Sequence, residues 1–125
     1  MTRRILLVAL ALAALAPAAE AAAPIKVIGS ARATGEYAAA SARGSANRPA
    51  ALYVRAYGSE LDVSTAMTCS RGLSVGTKSQ HIAGQAVSGK LYRLALPMVR
   101  PTKCSVAAAV ISAGPLRVQL LAQTR

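Results

Sequence analysis

Along most of the chain from Leu52 onward, apolar and polar residues alternate with a period of two, the signature of strands with one buried face. From Leu52 to Tyr57, Leu52, Val54 and Ala56 fall on one face and Tyr53, Arg55 and Tyr57 on the other. Leu61, Val63, Thr65, Met67 and Cys69 then alternate with Asp62, Ser64, Ala66 and Thr68. Leu91 to Leu96 turns Tyr92, Leu94 and Leu96 inward and Arg93 outward, and the next segment turns Cys104, Val106, Ala108 and Val110 inward. The last run, Leu116 to Gln123, buries Leu116, Val118, Leu120 and Ala122 and leaves Arg117, Gln119 and Gln123 to water. Weaker candidates at Ile25 to Ser30, Thr34 to Ser41 and His81 to Ser88 bring the count to about eight. Turn formers separate the runs: Arg43-Gly44-Ser45 through Pro49, Gly58-Ser59, Arg71-Gly72 through Gly76-Thr77, Gly89, Pro97 to Pro101, and Gly114-Pro115. This spacing predicts an all-β, antiparallel sandwich of seven to eight strands, with loops at Arg43 to Ala50 and Arg71 to Gln80. Ala-rich stretches such as Ala38 to Ala42 favour helix by propensity, but Gly and Pro recur too often to leave a long helical segment.

The N-terminus has a different pattern. Arg3 and Arg4 precede an apolar run from Ile5 to Ala16, and small residues follow Pro17. Those three zones are the pattern of a secretory signal peptide. Ala19-Glu20-Ala21 supplies the small residues that signal peptidase accepts, so residues 1–21 are expected to be removed and residues 22–125 to form the secreted domain. Ala21-Ala22-Ala23 is the alternative cut, but it leaves Pro24 just after the cleaved bond. A retained membrane helix is the competing reading; the apolar run of about 12 residues falls short of the roughly 20 that a span needs. The Arg3-Arg4 pair leaves the export route, general or twin-arginine, open.

Charge adds the next constraint. The 125 residues carry 15 Lys and Arg against 4 Asp and Glu, a net of +11, and without Arg3, Arg4 and Glu20 the secreted part keeps a net of +10. Only 3% of residues are aromatic, with no Phe or Trp, so the interior has to be built from Ala, Val, Leu and Ile. A domain this small hides only about 60–65% of its extended-chain surface and gains from a covalent staple. Cys69 and Cys104 provide one: two cysteines 35 positions apart in an exported chain are most simply paired. Closing that loop is worth roughly 3.8 kcal/mol in the chain-entropy model. Both cysteines share a face with core residues, so the bridge is expected to point inward. Two free thiols or a metal pair are the alternatives, and neither a CxxC spacing nor a nearby His completes a metal site.

The segments Tyr53-Val54-Arg55-Ala56-Tyr57-Gly58, Thr68-Cys69-Ser70-Arg71-Gly72 and Leu116-Arg117-Val118-Gln119-Leu120-Leu121 resemble small secreted bacterial proteins with one disulfide on an immunoglobulin-like β-sandwich. The resemblance spans most of the secreted part and implies a fold; it lends these residues no activity.

Short motifs touch on chemistry without completing it. Gly72-Leu73-Ser74-Val75-Gly76 matches G-x-S-x-G, and a Ser74, His81, Asp62 triad can be written. The strand, strained turn and helix that make such a serine nucleophilic are missing from the sequence around it. Gly84-Gln85-Ala86-Val87-Ser88-Gly89-Lys90-Leu91 is one residue from a phosphate-binding loop, with Leu91 where a magnesium-binding hydroxyl belongs. His81 stands alone, and Glu60 and Asp62 read as neighbours on a solvent face more readily than as a glycosidase pair.

The basic surplus is what points to a function. Arg55, Arg93 and Arg117 all take outward positions, with Tyr53 and Tyr57 beside Arg55, and together they form a cationic, partly aromatic surface if their strands share a sheet. Such a surface attracts anionic polymers through charge; dispersed basic residues that only keep the domain soluble are the simpler alternative. The reading is therefore a non-enzymatic secreted or cell-envelope module without cofactor, metal or membrane anchor. Its expected partner is an anionic cell-wall polymer bound through Tyr53, Arg55, Tyr57, Arg93 and Arg117. The alternatives are a protein-binding module using Arg71 to Gln80 or a strand edge, and a small hydrolase on Ser74. No recognition motif for nucleic acid is visible, and none is expected as a specific partner.

Overall fold

Eight strands form where alternation or pairing permits them, and the computed structural model describes them over residues 23–125. They are β1 (Ile25–Ala33), β2 (Ala39–Asn47), β3 (Pro49–Tyr57), β4 (Asp62–Arg71), β5 (Ser74–His81), β6 (Tyr92–Leu94), β7 (Lys103–Ile111) and β8 (Leu116–Thr124). The expected signal peptide and its cleavage site lie outside the described residues. Where the sequence alternates most cleanly, burial alternates with it. β4 buries Val63, Thr65, Met67 and Cys69, and β7 buries Cys104, Val106, Ala108 and Val110.

Two four-stranded antiparallel sheets result, in the orders β1-β8-β3-β6 and β2-β7-β4-β5. Their inner faces enclose an aliphatic core around Leu52, Leu61, Leu120, Val54, Val63 and Val118. The pairings nest: first strand with last, second with seventh, third with sixth, fourth with fifth. That is one long hairpin rolled up until β8 also meets β3 and β7 also meets β4. The chain crosses between sheets at every connection except β4 to β5. This is the connectivity of a jelly roll. The immunoglobulin-like order expected above is corrected on this point, since that fold places its first two strands in one sheet and bridges its two sheets with its disulfide.

Cys69 and Cys104 are bonded, fully buried, and face each other directly across β4 and β7, with Cα atoms 4.1 Å apart. The bridge points into the core as expected, but it ties neighbouring strands of one sheet.

Three further expectations change. Arg43 to Ala50 is not a loop: it completes β2 and begins β3, with Arg48 alone between them. Arg71 to Gln80 is a tight hairpin, turning at Gly72-Leu73 into β5. Gly72, at φ 60°, holds the first central position, where a two-residue turn suited to the strand twist demands glycine. The strand expected at His81 to Ser88 is irregular beyond His81, which closes β5; it meets the core through the Ile82 N–H, which donates to the Val63 carbonyl, and through the Leu61–Ala86 bridge. One edge of the sandwich is sealed by main chain. At Gly29 and Gly44, β1 and β2 approach so closely that a Cβ on Gly29 would stand 2.1 Å from the Arg43 carbonyl oxygen.

Candidate functional site

The five residues singled out for binding all belong to the β1-β8-β3-β6 sheet and share its outer face. Tyr53, Arg55 and Tyr57 alternate with buried Leu52, Val54 and Ala56 on β3. Arg93 on β6 is directly opposite Tyr53, and Arg117 on β8 directly opposite Tyr57. Arg55 and Arg117 are held by specific contacts. The Arg117 guanidinium lies over the Tyr57 ring at 4.4 Å from its centre, and that of Arg55 at 5.8 Å. Arg55 also donates from Nε and Nη2 to the Gln119 side-chain oxygen, at 3.1 and 2.8 Å. Stacking and hydrogen bonding narrow the rotamers of these side chains, and a preordered cation loses less freedom on meeting a ligand.

Sequence reasoning missed Arg32. It lies on β1 directly opposite Arg117, 85 positions away in sequence, so only strand pairing reveals the contact. Like charges opposed across strands are destabilising, by roughly 0.2–1 kcal/mol. Among the described residues no Lys or Arg is ion-paired with a carboxylate, so neither arginine has an acidic partner. They border a hollow of about 400 Å³ that is also lined by Thr34, Tyr57 and Gly58. Two guanidinium forks and a tyrosine beside a shallow concavity suit an oxyanion with several acceptor oxygens.

Toward the other end of this face the character becomes apolar. Leu121 points outward yet is only 4% exposed, because Tyr53 on one side and Val27 on the other sit directly across from it. The outer face thus runs from a doubly cationic hollow, past Arg55 and Gln119, to an aromatic and aliphatic floor beside Arg93.

The other candidates are not assembled. Ser74 opens β5 and His81 closes it, so they stand at opposite ends of one strand, about 23 Å apart at strand rise. His81 is hydrogen-bonded to Asp62 across the hairpin, which gives the lone histidine a partner but no serine. The phosphate-loop-like segment forms an irregular connection with a turn closed by Lys90 N–H donating to the Val87 carbonyl, and no helix follows it. Among the described residues no group of three or more His, Cys, Asp or Glu could hold a metal ion. The outer face of the other sheet carries two adjoining hollows of about 690 and 500 Å³. Their floor is Ala, Ser and Thr with Arg43 and His81 at the margins, so they offer space with little charge and no aromatic surface.

No family model matches the chain, and no curated protein does. Among solved structures it is similar to the Yersinia pseudotuberculosis-derived mitogen, with 13% identity, a TM-score of 0.43, and coverage of 82% of this chain and 87% of that one. It is similar to the enzymatically active domain of bacteriophage CBA120 tailspike protein 4, with 10% identity, a TM-score of 0.43, and coverage of 80% and 19%. A third likeness is to TmCBM61 in complex with β-1,4-galactotriose, with 15% identity, a TM-score of 0.34, and coverage of 80% and 89%. At such low identity and loose superposition, these likenesses assign nothing to this chain.

Proposed function

We propose that this protein is a non-catalytic module, exported from the cytoplasm, that binds an anionic polymer of the cell envelope through the outer face of the β1-β8-β3-β6 sheet. The observation that supports this reading is the gathering of Arg32, Arg55, Arg93 and Arg117 with Tyr53 and Tyr57 on one face of a sheet whose strands carry no carboxylate. The polymer's charged groups meet the Arg32–Arg117 hollow, and its less polar backbone lies along Tyr53 and Leu121. Export is supported by the signal-like N-terminus and by the Cys69–Cys104 bridge, which persists in an oxidising compartment.

Retention on isolated cell walls tests the reading. Binding is expected at low salt and lost in roughly 0.5 M salt, where screening acts over a few ångströms. The Arg55→Glu, Arg93→Glu and the Arg32→Gln, Arg117→Gln double variants are each expected to abolish it while keeping a native circular dichroism melt. Retention that survives both variants refutes the proposal.

A second reading has one observation in its favour. β5 is an edge strand, bonded only to β4 and largely exposed, so an extended segment of another protein has a free main-chain edge to pair with. Protein partners whose capture survives high salt and is unaffected by the arginine variants favour it.

A further inference from the structure

The sandwich is polarised along its strands. Glu36, Glu60 and Asp62 are the only carboxylate side chains among the described residues, and all three lie at the end that carries the β1–β2, β3–β4 and β7–β8 connections. Hydrogen bonds knit that end together: Tyr37 N–H donates to the Ala113 carbonyl, and Ala113 N–H to that of Ser59. The opposite end carries the β2–β3, β4–β5 and β6–β7 connections and has Arg48, Arg71, Arg100, Lys103 and Arg125. No carboxylate side chain accompanies them.

The same basic end also presents apolar side chains that the fold does not cover. Leu73, at the tip of the β4–β5 hairpin, is 103% exposed, Val75 beside it 68%, and Val99 in the β6–β7 connection 74%. Isolated exposed aliphatics are ordinary. Here the loops that carry Leu73 and Val99 are joined to each other. Arg71 Nη1 donates to the Val99 carbonyl at 2.9 Å, tying the β6–β7 connection to the hairpin turn. Thr102 N–H donates to the Ser70 carbonyl at 2.8 Å, and Arg48 N–H to the Thr102 carbonyl at 2.7 Å. Arg125 Nη2 donates to the Pro101 carbonyl at 2.7 Å. The arginines at this end therefore hold its loops in place while their charge stays outside the core.

We infer that this end of the sandwich docks on an anionic lipid bilayer, with Leu73, Val75 and Val99 entering the headgroup boundary and Arg71, Arg100 and Lys103 meeting lipid phosphates around them. Aliphatic tips ringed by cations match the two components of an anionic membrane surface, an apolar interior beneath a negative layer. With all three carboxylate side chains at the far end, none at this end repels the lipid phosphates. Docked by this end, the strands stand roughly along the bilayer normal, and the outer face of the β1-β8-β3-β6 sheet remains open beside the membrane.

The test is co-sedimentation of the intact, oxidised protein with vesicles of phosphatidylglycerol and phosphatidylcholine in equal parts, and with phosphatidylcholine alone. Binding is expected to the first and not the second. Leu73→Ser, Val99→Ser is expected to weaken partitioning about tenfold. Arg100→Gln, Lys103→Gln is expected to weaken it by about fivefold per charge, and Arg55→Gln, Arg93→Gln, the same charge change on the sheet face, by less than about twofold. Because the chain has no Trp, Leu73→Trp introduces a single indole at the tip, expected to shift blue on adding anionic vesicles. Equal losses at the two faces would mean that net charge alone drives binding. That result overturns the inference, as does an unshifted indole, an unchanged serine variant, or no binding to anionic vesicles. Loss of cell-wall retention in the sheet-face variants with vesicle binding intact separates this inference from the proposed function.

Discussion

Gly29→Ala is expected to be among the most damaging single-methyl changes in the protein. The added Cβ would stand 2.1 Å from the Arg43 carbonyl oxygen and 2.8 Å from the Arg43 carbonyl carbon. Real Cβ contacts do not fall below 3.0 Å, so β1 and β2 have to separate by roughly 1 Å. No rotamer change relieves this, because both sides are main chain: β1 is laddered to β8, and β2 to β7. Opening a packed contact by that distance forfeits a quarter to a half of its dispersion energy, and overpacking typically costs 1–3 kcal/mol. The rigid backbone puts the expected loss at about 3 kcal/mol, or roughly 12–24 °C in Tm for a domain of this size. Gly114→Ala is the internal control: nothing lies within 4 Å of its Cβ position, and it should stay within about 0.5 kcal/mol of the wild type. Gly44→Ala meets the Ile28 carbonyl oxygen at 2.7 Å across the same contact. The double variant should therefore lose less than the sum of the singles, since the first methyl has already parted the strands. Chemical denaturation of the oxidised protein, followed by circular dichroism, measures all four. A loss below about 1 kcal/mol for Gly29→Ala, or an equal loss for Gly114→Ala, refutes the claim that this edge is closed by main-chain contact.

Other outcomes follow from particular contacts. Arg32→Gln relieves the charge opposed to Arg117 and is expected to raise stability by a few tenths of a kcal/mol to about 1 kcal/mol while weakening cell-wall retention, read by denaturation and binding side by side. Ser112 is buried; its hydroxyl donates to the Ser59 carbonyl at 2.8 Å and accepts from Ser59 N–H at 3.1 Å, so Ser112→Ala should cost about 1–3 kcal/mol by the same denaturation assay. Reducing the Cys69–Cys104 bridge should lower stability by roughly 3–4 kcal/mol, seen as a fall in the denaturation midpoint with added thiol reductant; an unchanged midpoint counts against the loop-closure account.

The strands with one clearly apolar face were legible in the sequence: β3, β4, β7 and β8 lie close to where alternation put them, with the expected residues inward. β2 and β5 were partly or wholly taken for loops, for two different reasons. β2, Ala39–Asn47, buries only small residues such as Ala42 and Ala46, too weak a contrast to register as a period. β5, an edge strand, is exposed on nearly every residue and has no apolar face to display. Arg55, Arg93, Arg117 and the two tyrosines could be placed outward from sequence because their own strands alternate. Arg32 could not be implicated, since its significance comes from the residue across from it.

The order of hydrophobic and polar residues therefore determined the class of secondary structure, the inward aim of both cysteines and the outward aim of the arginines, all of which depend on a local period of two. Which strands became neighbours was decided only in three dimensions. A strand satisfies its main-chain hydrogen bonds equally well against many partners, and the nested pairing that places Arg32 beside Arg117 and Gly29 against Arg43 depends on how all eight strands close around one core.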